Sequence, residues 1–228
     1  MEKFKVNITY LSLPMSSAEI SLTKIDSIQN ISVNASSRSI VTAFYKIDNQ
    51  YLSVCENDFL PKKYEKNILQ GDFKEKKLIL FNSKNSSVII KDLLKGTEKT
   101  ISPVADFNEI YDIFSALFHI RFAGQKTDCS LFCFANCNIW KVKFSYLGRD
   151  ILDFSEKEYK TLKYFVEFKQ ISKNNSSRTD ILTNNLVNEK HHLILWFSDD
   201  ELRLPIKAKY VMFPFSVYWH LESYWHKD

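Results

Sequence analysis

Polar and apolar residues alternate along most of this chain. In Phe4-Lys5-Val6-Asn7-Ile8-Thr9-Tyr10 every even position is apolar and every odd one polar, the pattern of a strand with one buried face. Ala18–Leu22 and Ile28–Asn34 continue it. Val41–Ile47 and Tyr51–Cys55 flank Asp48-Asn49-Gln50, and Lys62–Gln70 and Phe73–Phe81 flank Gln70-Gly71-Asp72. Both read as hairpins. Towards the C-terminus, Leu202, Leu204, Ile206, Ala208 and Tyr210 share one face after a Ser198-Asp199-Asp200-Glu201 turn, with Arg203, Pro205, Lys207 and Lys209 on the other. Phe213, Phe215, Val217, Trp219, Leu221 and Trp225 then alternate against Ser216, Tyr218, His220, Glu222 and Tyr224. Short strands at this spacing predict a mainly β chain built as an extended antiparallel meander.

One stretch breaks the alternation. From Asp106 to Phe122, Phe107, Ile110, Tyr111, Phe114, Leu117, Phe118 and Arg121 recur at steps of three and four. Asp106, Glu109 and Asp112 enrich its start with acid, which complements the positive end of a helix dipole, and Gly124 supplies a stop. The spacing predicts one long amphipathic helix over 106–122. Ser172–His192 is polar and rich in asparagine, and reads as a long loop with one short strand, a place where function often resides.

Cys129, Cys133 and Cys137 are spaced by four. If Thr127–Phe134 and Ile139–Tyr146 pair around Ala135-Asn136-Cys137-Asn138, then Cys133 faces Trp140, Leu131 faces Val142 and Cys129 faces Phe144. Cys129 and Cys133 then serve as small core hydrophobes, and the spacing is not that of a zinc site. No metal site or cofactor is expected. His191-His192 point to opposite faces of a strand and make a poor chelate.

The chain has 228 residues, 45% of them hydrophobic, with 18 Phe and 11 Tyr, ample material for a core. Four Gly and the absence of G-x-G-x-x-G or G-x-x-x-x-G-K-[ST] argue against phosphate-binding loops. A formal charge of +4 is too mild to imply nucleic acid. The ten Lys and five Asp or Glu between Leu60 and Thr100 read as solvated strand faces. No run approaches a transmembrane helix. No export signal is visible, which fits either a cytosolic protein or a mature domain whose leader has been removed. Two adjacent aspartates on an exposed turn suit turn chemistry better than a catalytic pair held apart in a cleft. No G-x-S-x-G, H-E-x-x-H or C-x-x-C motif occurs. His119 and Asp112 are the residues an enzymatic reading would turn on, and no catalytic residue is assigned.

Several segments carry a resemblance. Phe44, Tyr45 and Asp48, then Leu60, Pro61, Tyr64, Lys66, Ile68 and Gly71, then Asp112, Ile113, Ser115 and Ala116, then Trp196, Ser198, Asp199, Asp200, Leu204 and Pro205 resemble, in order, the pattern of the bacterial domain-of-unknown-function family 3108. WFSDDELRLP is the most specific piece, and the likeness spans nearly the whole chain. The polar 172–185 stretch and the three-cysteine segment depart from it. The resemblance implies a large curved antiparallel sheet, an open or half barrel wrapping the helix, in one domain over 1–228, with a plan similar to outer-membrane lipoprotein carriers. It further implies a periplasmic or exported protein without established activity. The expected role is non-enzymatic binding of a lipid or lipidated partner in an apolar groove lined by Phe114, Phe118, Trp196 and Trp219. The alternative is an envelope scaffold that binds a protein partner and takes no small ligand.

Overall fold

The computed structural model describes residues 1–42, 44–82, 86–102, 109–123, 126–154, 157–172 and 180–227. Its strands are β1 (Glu2–Tyr10), β2 (Leu13–Ile25), β3 (Ile28–Ser37), β4 (Ile47–Cys55), β5 (Pro61–Gln70), β6 (Phe73–Asn82), β7 (Ser87–Asp92) and β8 (Thr97–Ile101), followed by β9 (Ile110–Tyr111), β10 (Cys129–Ala135), β11 (Asn138–Phe154), β12 (Lys157–Gln170), β13 (His192–Ser198), β14 (Pro205–Val211) and β15 (Val217–His226). The helices are α1 (Ser39–Thr42), α2 (Ile113–Ala123) and α3 (Ile181–Leu186), with one 3-10 turn at Asn57–Phe59.

All fifteen strands form one sheet in the order β8-β7-β6-β5-β4-β3-β2-β1-β15-β14-β13-β12-β11-β10-β9. Neighbours pair antiparallel, as the alternation implied, apart from the parallel β9–β10 pair at one edge. The sheet is open: β8 and β9 end the order and are not paired with each other among the described residues. It is also strongly curved. Phe81 on β6 and Phe134 on β10 lie eleven strand steps apart in that order, roughly 50 Å on a flat sheet. Their rings nevertheless meet edge to face at 6.2 Å. Only a sheet rolled into a near-barrel brings them together.

Helix α2 lies inside the roll. Phe114 and Phe118 join the apolar cluster under β1–β8, while Ala116 and Ile120 join the one under β10–β14. The helix is shorter than the 106–122 expected. Ile110 and Tyr111 pair with Phe132 and Cys133 as a strand, and the Asp112 carboxylate accepts from the backbone N–H groups of Phe114 and Ser115 at 2.9 and 3.0 Å. That cap starts the helix at residue 113; the expected residues 106–108 lie outside those described. Nor is the helix solitary. The 172–192 excursion holds α3, capped by Asp180, where a short strand was expected.

Other expectations need correction. Asp48-Asn49-Gln50 is no turn: β4 runs straight through it, and the chain reverses at 38–46 instead. Asn49 points inward, donating to the Tyr51 hydroxyl at 3.1 Å. On β15 the register slips between Lys5–Ser223 and Val6–Leu221, leaving Glu222 as a bulge. A bulge shifts the face of everything beyond it, so Tyr224 packs against Phe4 at 5.3 Å while Trp225 is 48% exposed. Leu202 also stays outside the core, because it lies in the turn before β14, which begins at Pro205. By contrast, the Gln70–Phe73 hairpin and the cysteine hairpin have the expected register, including Cys133–Trp140, Leu131–Val142 and Cys129–Phe144.

Candidate functional site

The alternation of β5 and β6 places more than apolar residues inside the roll. Tyr64, Lys66, Ile68 and Gln70 on β5, and Glu75, Lys77 and Ile79 on β6, face the interior and are buried. Lys66 and Lys77 are therefore not on a solvated face. They are directly opposed across the two strands, where like charges repel unless an anion lies between them. Glu75 supplies one, its two oxygens 2.7 Å from Lys66 Nζ and 2.6 Å from Lys77 Nζ. Asp180, fully buried, supplies another at 2.6 Å from Lys66 Nζ.

Asp180 comes from outside the sheet. Its Oδ1 accepts from the Tyr51 hydroxyl at 3.0 Å and from Thr183 N at 2.8 Å. The same carboxylate thus caps α3 and pins it over β4–β5. Gln70 Oε1 accepts from Ile181 N at 3.0 Å, and Asn136 Nδ2 from the far edge of the sheet donates to Thr183 O at 3.3 Å. Burial works to raise the Asp180 pKa, but the Lys66 ammonium and the donated hydrogen bonds outweigh it and hold the carboxyl below its usual value. Burial likewise opposes the charge on Lys66, yet Asp180 and Glu75 raise its pKa overall. Burial and the neighbouring Asp180 push the Tyr51 phenol well up.

Beside this cluster is a cavity of about 20 Å³, lined among others by Tyr64, Lys66, Lys77, Ile79, Phe134 and Asn136. It has room for one water and no ligand. Two buried polar atoms of its lining, Tyr64 Oη and Asn136 Oδ1, have no hydrogen-bond partner among the described residues, nor does Asn49 Oδ1 on β4. Native interiors seldom leave such atoms unmet. On the convex face of the same strands an open groove of about 260 Å³ runs past Gln50, Asn67, Leu69, Lys74, Lys76 and Leu94.

The four expected groove residues do not converge. Phe114 is buried against Tyr51 and Tyr64 at ring distances of 5.2 and 6.3 Å, and Phe118 against Phe4 and Phe59 at 6.1 and 5.7 Å. Trp219 is half-buried between the two clusters. Trp196 points the other way. Its neighbours Leu195 and Phe197 face inward, while its indole lies on the convex face between Lys163 and Lys207, each 5.3 Å from the ring. Its Nε1–H donates to Asp150 at 3.0 Å, which holds that carboxyl below its usual pKa.

The Ser198–Glu201 segment is a turn. Asp200 Oδ1 accepts from Ser198 Oγ and from the N–H groups of Leu202 and Arg203 at 2.6, 3.1 and 3.0 Å. The turn carbonyls in turn hold Arg121 from α2, whose guanidinium donates to Leu202 O at 2.7 Å and to Glu2 Oε2 at 2.7 Å. Asp112, besides capping α2, accepts from Ser53 Oγ; burial raises its pKa despite these bonds. His119 Nδ1 is 2.9 Å from Asp58 O and 3.3 Å from the Tyr111 hydroxyl. These contacts fasten elements together.

The ionic cluster was missed because lysines in a charged stretch were read as solvated. Period two already gave a signal: Lys66 falls between Tyr64 and Ile68 on one face, and Lys77 shares a face with Ile79. Asp180 carried none, since nothing in a polar loop says that one aspartate reaches the core.

Among the described residues no helix is long and apolar enough to cross a membrane. A crystal structure of a β-barrel-like protein of the domain-of-unknown-function family DUF1849 from Brucella abortus superposes with a TM-score of 0.67 at 7% identity, over 100% of this chain and 98% of that one. Two others align less well. A protein assigned as exported, with a YmcC-like fold, from Bacteroides fragilis gives 0.40 at 6% identity over 99% and 95% of the chains. One assigned as a lipoprotein, from Parabacteroides distasonis, gives 0.38 at 8% over 98% and 94%. Of these three, the first bears on the fold. A search of curated proteins returns no match. The family model for proteins of unknown function DUF3108 matches residues 4–215, so the chain belongs to the DUF3108 family, the one its motifs resembled.

Proposed function

We propose that this is an exported cell-envelope protein, non-enzymatic, that binds a hydrophobic or lipidated molecule inside its rolled sheet. The observation that carries the reading is a pair of unmet polar atoms, Tyr64 Oη and Asn136 Oδ1, without a hydrogen-bond partner among the described residues, on the wall of an interior cavity that Ile79, Ile90 and Phe134 share with Lys66 and Lys77. An interior built only for stability has no use for such groups. Phe114, packed on Tyr51 and Tyr64, borders this site, whereas Phe118 packs on Phe4 and Phe59 and Trp219 and Trp196 lie on other strands. Because the interior is packed, entry requires a covering element to move. Helix α3, six residues long and held over Tyr51, Lys66 and Gln70 by side-chain bonds, is the covering element proposed to move. The export assignment rests on the family resemblance. Native mass spectrometry of gently purified protein is expected to show co-purifying small apolar mass, and a fluorescent fatty acid to be bound and displaced. Protein of bare sequence mass that takes up no probe would overturn the reading.

A second reading, an envelope scaffold acting through its surface, is favoured by one rim. Leu11, Leu13, Phe44, Phe213 and Phe215 are 50, 62, 89, 91 and 48% exposed. They sit on or next to the β1–β2, β3–β4 and β14–β15 connections, which neighbour one another along the sheet, and Lys46 is the one charge between Ser39 and Ile47. Ile25, Leu202 and Trp225 are exposed at the opposite rim, but interleaved with Asp26, Glu201, Arg203 and His226. A run of apolar side chains with little charge marks a contact surface. Crosslinking that captures a protein through Phe44 or Phe213, with no small ligand bound, would favour this second reading.

A further inference from the structure

We infer that the rim bearing Leu11, Phe44 and Phe213 docks on a lipid bilayer, its apolar tips entering the headgroup layer while lysines behind them meet anionic lipid phosphates. This goes beyond the interior ligand and does not depend on it. It gives the rim of the second reading a different occupant.

The strand register brings three tips to one level. Tyr10 pairs with Leu13 on one side and Val217 on the other, so the β1–β2 and β14–β15 turns leave the sheet together. Ser37, the last residue of β3, pairs with Ser16, and Arg38 N donates to Met15 O at 2.9 Å. The β3–β4 connection therefore leaves beside them. The Tyr10 and Phe215 rings meet edge to face at 6.3 Å. Phe44 and Phe213 stand clear of this base, almost fully exposed.

Charge decides the occupant. Residues 6–18, 39–45 and 210–219 contain no charged side chain. The charges nearest the tips along the chain are Arg38, Lys46 and Lys209, all basic, whereas Lys5 and Glu19 face each other further down β1 and β2. Arg38 is already met by Glu222 at 3.3 Å. Lys46 is exposed, and Lys209 Nζ lies 5.7 Å from the Tyr218 ring. Among the described residues neither lysine pairs with a carboxylate. Acid returns at Asp48 and Asp72, on the β4–β6 side of the patch. Apolar tips backed by cations fit a surface that is greasy within and negative at its face, as an anionic leaflet is. Tyr10, Tyr45 and Tyr218 lie just behind the tips, at the depth where amphipathic rings settle in a bilayer.

Shape points the same way. Three separate turns bearing Phe and Leu need no matching pockets in a fluid layer, whereas a protein partner has to supply one for each. The opposite rim is unsuited, because Ile25 and Leu202 stand beside Asp26, Asp200 and Glu201, which an anionic leaflet repels.

The test is flotation with large unilamellar vesicles of phosphatidylcholine, alone or with about 30% phosphatidylglycerol. Wild-type protein is expected to bind the anionic vesicles at least about fivefold more tightly than the neutral ones, with the difference shrinking at high salt. Phe44→Ser and Phe213→Ser are each expected to weaken binding about tenfold, with unchanged urea midpoints because both side chains are exposed. Lys46→Gln should weaken binding to anionic vesicles by about fivefold and leave neutral ones unaffected. Hydrogen exchange on the wild type needs no variant: saturating anionic vesicles should slow the amides of Leu11, Phe44 and Phe215 and leave the 198–204 turn as it was. Absence of flotation, equal binding to the two compositions, indifference to both Phe substitutions, or protection elsewhere on the molecule would overturn the inference. A protein crosslinked through Phe213 while vesicles fail to bind would overturn it in favour of the second reading. Uptake of a fluorescent fatty acid is read separately, so the interior-ligand reading stands or falls on its own.

Discussion

Single side chains settle several local questions. Gly71 has φ +56°, and a Cβ added there would lie 3.1 Å from the Tyr45 ring. Gly71→Ala is therefore expected to cost about 1–2 kcal/mol, read as a lowered urea midpoint with unchanged slope; an unaltered midpoint would mean that Tyr45 swings aside freely. Asp180 links stability to acid. Its folded pKa lies below the ordinary 3.8, so its contribution is complete above that value and is lost as pH falls through the folded pKa. Asp180→Asn should be less stable than wild type by about 3–5 kcal/mol at neutral pH, and the gap should close below pH 3.8, measured by urea titration at both ends. A gap that stays constant with pH would contradict the pairing with Lys66. Asp112 acts in the opposite sense, since a raised carboxyl pKa favours the folded state when protonated. At this scale much was legible in the sequence. The turn role of Asp199–Asp200 and the facing of Cys133 on Trp140 follow from side-chain preference and from period two. The burial of Lys66 did not follow, because the strand pattern gives only a side chain's direction, and one of its two anionic partners, Asp180, is more than a hundred residues away.

Elements are joined through a few polar contacts. Arg121 at the end of α2 meets the carbonyls of the 198–204 turn and Glu2 on β1, and its guanidinium lies 4.9 Å from the Phe4 ring. Arg121→Ala strands buried carbonyls and Glu2 together, and is expected to lose about 3–5 kcal/mol in urea denaturation. A near-native midpoint would show that water reaches the turn. Two motif segments that lie far apart in sequence are thus one joint. Strand identities were largely readable, since alternation needs only local information. Element lengths were less so. The helical spacing of Ile110 and Tyr111 was genuine, but pairing with β10 took those residues, and the bulge at Glu222 reversed the facing of the last strand without any signal in the alternation itself.

At the scale of the whole molecule the sheet's curvature decides which residues meet. Phe81 and Phe134 touch although eleven strand steps separate them. A double-mutant cycle on Phe81→Ala and Phe134→Ala is expected to give a coupling of about 0.5–1.5 kcal/mol; additive losses would mean that the two ends stand apart in solution. No periodicity in the sequence contains that contact. The family resemblance implied a rolled sheet, but how tightly it rolls depends on how α2 and α3 fill its middle. The roll stops short of a ring, and this has a mechanical consequence. Where β8 and β9 end the order, no ladder of backbone bonds joins them among the described residues. Strain therefore finds a seam there, and the body can widen along that line with every ladder intact, as a rolled sheet of paper loosens without tearing.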